Sequence, residues 1–126
     1  MSEFAIEPVV REVTQAMINA YAEASGDHNP IHTDEAFART TPMGGTIAHG
    51  MLVLSFISEM MTGAFGRSWV EGGQLEVRFR APSRPGDTVT AQARPIESKD
   101  GRARYAVECV KQDGEVLIAG TASLLE

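Results

Sequence analysis

Two periodicities divide this chain. Up to about residue 61 the apolar positions recur at helical spacing or crowd together, and beyond it they alternate with polar ones. Met17, Ile18, Tyr21 and Ala24 follow i, i+1, i+4 and i+7 after Thr14, a good N-cap residue, and Ser25-Gly26 supplies the stop. This predicts an amphipathic surface helix, then a loop over 27–33, a short helix around Asp34 to Arg39, and a second loop over 40–48 carrying Pro42, Gly44 and Gly45. From Gly50 to about Met61 only Ser55, Ser58 and Glu59 interrupt the apolar run, a pattern that predicts a helix buried on nearly every side.

After Gly63 the period becomes two. Leu75, Val77 and Phe79 alternate with Glu76, Arg78 and Arg80, Val89, Ala91 and Ala93 with Thr90, Gln92 and Arg94, and Tyr105, Val107 and Cys109 with Arg104, Ala106 and Glu108. Val116, Ile118, Gly120 and Ala122 continue the series. Asp100-Gly101 and Asp113-Gly114 are dipeptides that type I′ hairpin turns prefer, so the last three strands are expected to form an antiparallel meander. One buried helix ahead of one curved sheet predicts an α+β domain, an antiparallel sheet wrapped around a central helix, over residues 1–126.

Composition narrows the function. The 126 residues, 43% hydrophobic, suit a single domain with a real core, and no repeat or low-complexity linker divides them. With 17 acidic against 11 basic side chains the net charge is -6, which argues against a nucleic-acid or anionic-membrane binder. The start MSEFAIEPVV lacks a basic segment followed by an apolar one, and the lone Cys109 cannot form an intrachain disulfide, so a cytoplasmic protein is expected. The longest apolar run falls well short of the roughly 20 residues that span a bilayer.

The candidate chemistry lies in the loops. Asp27 and His32 stand five positions apart in a segment that Pro30 is expected to keep out of helix, and a turn can bring them together. Two other readings stand beside this one: an Asx turn in which Asp27 or Asn29 caps backbone, and a metal site on His28 and His32, which the intervening Pro30 and the absence of a cysteine pair disfavour. His49-Gly50 sits where the second loop becomes the buried helix, so the Gly50 and Met51 amides open a helix N-terminus suited to an oxyanion. Ser58 alone reads as a core hydroxyl, and Cys109 as a small packing group rather than a nucleophile.

Taken in order, Ser25-Gly26-Asp27-His28-Asn29-Pro30-Ile31-His32-Thr33-Asp34, Phe37-Ala38, Gly45-Thr46-Ile47-Ala48-His49-Gly50-Met51-Leu52, Phe79-Arg80-Ala81-Pro82 and Pro85-Gly86-Asp87 resemble the MaoC-like (R)-specific enoyl-CoA hydratases and dehydratases. The resemblance implies a hot-dog fold, usually dimerised, and reversible hydration of a trans-2-enoyl thioester without metal or other cofactor. It places the catalytic aspartate and histidine on Asp27 and His32, the oxyanion amide on Gly50 and an active-site serine on Ser58. Asn29, His49, Met51, Arg67, Arg80 and Arg84 are then expected to contact an acyl-CoA or acyl-carrier-protein thioester, with Arg84 the strongest candidate for the CoA phosphates. Trp69-Val70-Glu71-Gly72-Gly73 departs from the family pattern. A hot-dog thioesterase, or a noncatalytic acyl-thioester-binding subunit, is the alternative.

Overall fold

The alternating positions of the second half form strands. With β1 (Val9–Glu12) from the start of the chain, these are β2 (Gln74–Phe79), β3 (Thr88–Lys99), β4 (Arg102–Lys111) and β5 (Val116–Leu125). In this computed structural model, which describes residues 6–126, they make one sheet in the order β1-β3-β4-β5-β2 with every pairing antiparallel. The register aligns Ala91, Cys109, Ile118 and Phe79 across four strands, and the first three of these are fully buried. Period two therefore decides which face meets the core.

The two Asp-Gly turns differ. At Asp100-Gly101 both residues have positive φ, 55° and 75°, as a type I′ turn requires. At Asp113-Gly114 only Gly114 does, at 90°, and its N–H donates to the Lys111 carbonyl at 2.8 Å. The Asp113 carboxylate accepts the Glu115 N–H at 2.9 Å, so this turn is a longer loop built on side-chain capping, and the type I′ expectation fails there.

The helices are α1 (Gln15–Ser25), α2 (Pro30–Thr33), α3 (Glu35–Ala38), α4 (Gly50–Phe65) and α5 (Arg67–Gly72). Thr14 caps α1 by accepting the Met17 N–H, and Gly26 closes it at φ 79°. Pro30 does not keep its segment out of helix. It opens α2 at the first helical position, where its fixed φ suits the turn and no N–H is required, while Asn29 before it keeps a non-helical ψ of 126°.

Leu52, Val53, Phe56, Ile57, Met60 and Met61 of α4 are buried, and the helix packs across β1, β3 and β4. Burial is not all-round, however. Met51, Ser55 and Glu59 recur every four residues as an exposed stripe, because five strands enclose only part of the helix circumference. The helix also outruns its expected end at Met61, and α5 follows directly. Trp69 of α5 is buried and lies so close over Gly73 that a Cβ there would run into the indole.

The Pro85-Gly86-Asp87 turn is a latch. The Gly86 N–H donates to Val13 at 2.7 Å and the Val13 N–H to the Asp87 carbonyl at 2.8 Å, which fixes the junction between β1 and α1. Burial pushes the Asp87 carboxyl up, but hydrogen bonds from Gln112 and the Arg84 N–H, with Lys111 nearby, more than offset it and hold the pKa below its ordinary value. Among the described residues no helix is long and apolar enough to cross a membrane.

Candidate active site

Asp27 follows the Gly26 cap directly, and its carboxylate is divided between two tasks. Oδ1 accepts the Asn29 N–H at 3.2 Å, an Asx turn. Oδ2 faces His32 Nε2 at 3.9 Å. Asn29 in turn caps α2, its Oδ1 accepting the Ile31 N–H at 3.1 Å, so the single turn of α2 aims His32 back towards Asp27. His32 Nδ1 lies 2.8 Å from the Ile47 carbonyl. A carbonyl only accepts, so Nδ1 carries the hydrogen and the neutral ring offers a bare lone pair at Nε2. The Asp27 side chain is 54% exposed and that of His32 only 12%, which leaves the pair open to solvent on the carboxylate side.

The gap of 3.9 Å exceeds a direct hydrogen bond, yet one water oxygen at about 2.8 Å from each atom closes it.

The loop that supplies Ile47 is itself anchored. Thr46 donates through its N–H to Glu35 at 3.1 Å and through its hydroxyl to Gln15 at 2.8 Å, and Gln15 Nε2 donates to the His32 carbonyl at 2.8 Å. The Arg39 guanidinium first, then the Thr46 N–H, hold the Glu35 carboxyl below the usual carboxylate range. The Ala48 N–H donates to the Ser83 carbonyl at 2.8 Å, which brings the loop bearing Arg84 against this segment. Gln15, Glu35 and Thr46 escaped the sequence reasoning because their contacts span 11 to 31 residues and leave no local pattern.

His49 is buried to 3% exposure. Its Nε2–H donates to the Asp27 carbonyl at 3.0 Å, and its ring stacks on that of His32 with centroids 3.8 Å apart and planes 25° from parallel. Directly after it, Gly50 opens α4; among the described residues no hydrogen bond holds the Gly50 or Met51 N–H, so both amides are left free at the start of a 16-residue helix. A Cβ at Gly50 would stand 2.9 Å from the exposed Phe79 ring, so a larger residue there would push that ring aside.

Among the described residues no hydrogen bond or ion pair joins Ser58, Arg67, Arg80 or Arg84 to this cluster. Ser58 sits two turns further along α4, roughly 12 Å from Gly50 along the axis, and its hydroxyl accepts the Trp69 indole N–H at 3.1 Å. Arg67 pairs with Glu71 across one turn of α5 at 2.6 Å. Arg80 is exposed and Arg84 half-buried, and neither has a carboxylate within ion-pair distance among the described residues. Cys109 packs in the core, where burial pushes its thiol up to about 12, so it keeps its proton at neutral pH.

Asp27, His32 and His49 each bring a possible metal-ligand atom within 4.8 Å of the others. The stacked rings oppose chelation, because imidazole lone pairs lie in the ring plane and two nearly parallel planes this far apart cannot converge on an ion about 2 Å from each nitrogen.

An antiparallel sheet curled around one long helix, with an Asp-His pair beside the start of that helix, defines a hot-dog protein of the hydratase type. Residues 5–115 match the family described as MaoC like domain, and the chain belongs to that family. It is 38% identical over 120 residues to a 3-hydroxybutyryl-CoA dehydratase of Methylorubrum extorquens, covering 89% of this chain and 76% of the relative. An (R)-specific enoyl-CoA hydratase of Aeromonas caviae is 33% identical over 110 residues, covering 85% of this chain and 81% of the relative. Among solved structures, the unliganded R-hydratase PhaJ1 of Pseudomonas aeruginosa superposes with a TM-score of 0.84 at 26% identity, covering 99% of this chain and 81% of that one.

Proposed function

We propose that this chain interconverts a trans-2-enoyl-CoA and an (R)-3-hydroxyacyl-CoA by reversible addition of water, with Asp27 and His32 as the catalytic pair. The observation that carries the assignment of residues is the facing of Asp27 Oδ2 and His32 Nε2, two acceptors set one water apart. A water between them gives one hydrogen to each and turns its own lone pair outwards. Its oxygen then bonds Cβ of the enoyl thioester, one hydrogen passes to Oδ2 or Nε2, and the group that took that proton returns it to Cα. The charge that develops on the thioester oxygen meets the Gly50 N–H at the positive end of α4. Dehydration runs the same steps backwards. Every step uses proton donors and acceptors alone.

Arg80 and Arg84, with no carboxylate at ion-pair distance among the described residues, are suited to the phosphates of CoA, and the bond from Ala48 to Ser83 sets the Arg84 loop beside the site. We take residues 1–126 as one catalytic domain. A second copy pairs along β2, because that edge is open over six residues and exposes Phe79, whereas the β1 edge is only four residues long. A buried, reduced Cys109 agrees with a cytoplasmic home.

The test uses two thioesters. Incubation with crotonyl-CoA is expected to remove the enoyl absorbance and yield the (R)-3-hydroxy product without free thiol. Release of thiol from saturated butyryl-CoA would assign a thioesterase instead, and binding without turnover of either would assign a carrier subunit.

A further inference from the structure

We infer that His49 is a positioning residue that sets both members of the catalytic pair; the inference rests on the assignment of Asp27 and His32 above. One side chain touches both: Nε2–H holds the backbone carbonyl of Asp27 at 3.0 Å, and the ring face lies against His32 at 3.8 Å. Tyr21 of α1 packs on His49 with centroids 4.8 Å apart, so the three rings share one cluster. With 3% exposure and both nitrogens enclosed, His49 has no atom to offer a substrate, which moves it from the substrate-contact role expected of it to a supporting one.

The hydrogen-bond inventory fixes its form. Nε2 must carry the hydrogen because its partner is a carbonyl, and Nδ1 is buried without a partner among the described residues. A buried acceptor left unsatisfied is a cost that an apolar residue of the same shape would avoid. Capping does not repay it here, since His49 makes no side-chain bond to the start of α4. What the imidazole supplies that phenylalanine would not is a single N–H to the Asp27 carbonyl, and what it supplies that glutamine would not is a flat face for His32. The Asp27 carbonyl lies one residue from the Gly26 cap, where the backbone leaves α1, so this bond determines where the Asp27 carboxylate points. Displacements of about 1 Å in such groups are enough to cost about a hundredfold in rate.

Two substitutions separate the functions: His49→Phe keeps the ring and loses the donor, and His49→Gln keeps a donor and loses the ring. Each is expected to lower kcat on crotonyl-CoA about ten- to a hundredfold with KM within about twofold. Wild-type kcat in both variants would overturn the inference, and so would unchanged kcat with raised KM, which is the mark of a substrate contact. His49→Phe is also placed on an Asp27→Asn background. A positioning residue that acts through Asp27 adds little further loss there, whereas a general fold defect multiplies the loss by the same factor as in the wild type and would overturn the assignment even if His49→Phe folds poorly. If Asp27→Asn and His32→Ala themselves retain wild-type rates, the catalytic pair fails first and the role of His49 falls with it, an outcome distinct from wild-type kcat in the His49 variants alone.

Discussion

The segment 25–49 and the sheet hold their shapes by different means. In the sheet, backbone groups pair with one another along four antiparallel ladders and side chains alternate into a core of Val89, Ala91, Val107, Cys109, Ile118 and Ala122. In 25–49 side chains add to the backbone bonds of short turns: Ser25, Asp27, Asn29 and Asp34 each accept a nearby backbone N–H, Glu35 accepts the distant Thr46 N–H, and Gln15 of α1 donates to the His32 carbonyl. Ladder bonds and burial spread their stabilisation over many residues, so the sheet tolerates small polar changes and resists changes of volume. Side-chain bonds to backbone fix a direction at one point, which is what a pair of catalytic groups needs. Stability and chemistry are thus lodged in separate stretches of the chain, and substitutions sort accordingly.

The largest expected effect is on rate alone. Asp27→Asn and His32→Ala should each lower kcat by about two to four decades, the range of general acid-base groups, while the urea midpoint moves little. A matching loss of stability would erase the contrast between the two regions. Next comes Gly120→Ala in the sheet. A Cβ there would run into the Glu76 carbonyl and come 2.6 Å from the Val77 Cα, so β2 must lift from β5. Equilibrium unfolding should show a loss of about 3 kcal/mol, at the upper end for overpacking because the obstacle is backbone.

Asp87→Asn sharpens the comparison through pH. The Asp87 carboxyl is held below its ordinary 3.8, so the stabilisation it gives is full above that value and is lost as pH falls through the lowered one. The variant should lose about 1 kcal/mol at pH 7 and show a flatter decline in urea midpoint on acidification than the wild type. Parallel acid limbs would show that Asp87 is no part of the pH dependence. The smallest effect is expected at Arg84, where alanine should raise KM for CoA thioesters about two- to fivefold, as befits a partly exposed charge contact. Pantetheine thioesters, which lack the nucleotide phosphates, should show no change.

How much of this was legible in the sequence follows the same division. Alternation placed the last three strands and their core positions, and the Thr14 and Gly26 caps bounded α1, because both signals are local. The Asp27-x4-His32 spacing carried the site through a resemblance rather than through geometry, since nothing in the spacing foretells a one-turn helix opened by Pro30. The stacking of His49 on His32 joins residues 17 positions apart and depends on where loop 40–49 is tied, so it had no trace in the pattern. The close approach of Trp69 to Gly73 likewise depends on how α5 packs and left no trace in the pattern.

The central claim is that Asp27 and His32 serve one water. Its most direct test is the turnover of crotonyl-CoA by Asp27→Asn, His32→Ala and the double variant, measured in parallel. If the two groups act as a unit, the double variant is no more than a few-fold slower than the slower single one. Losses that multiply across the two sites would contradict a shared water, and a near-wild-type rate in either single variant would remove that residue from the chemistry.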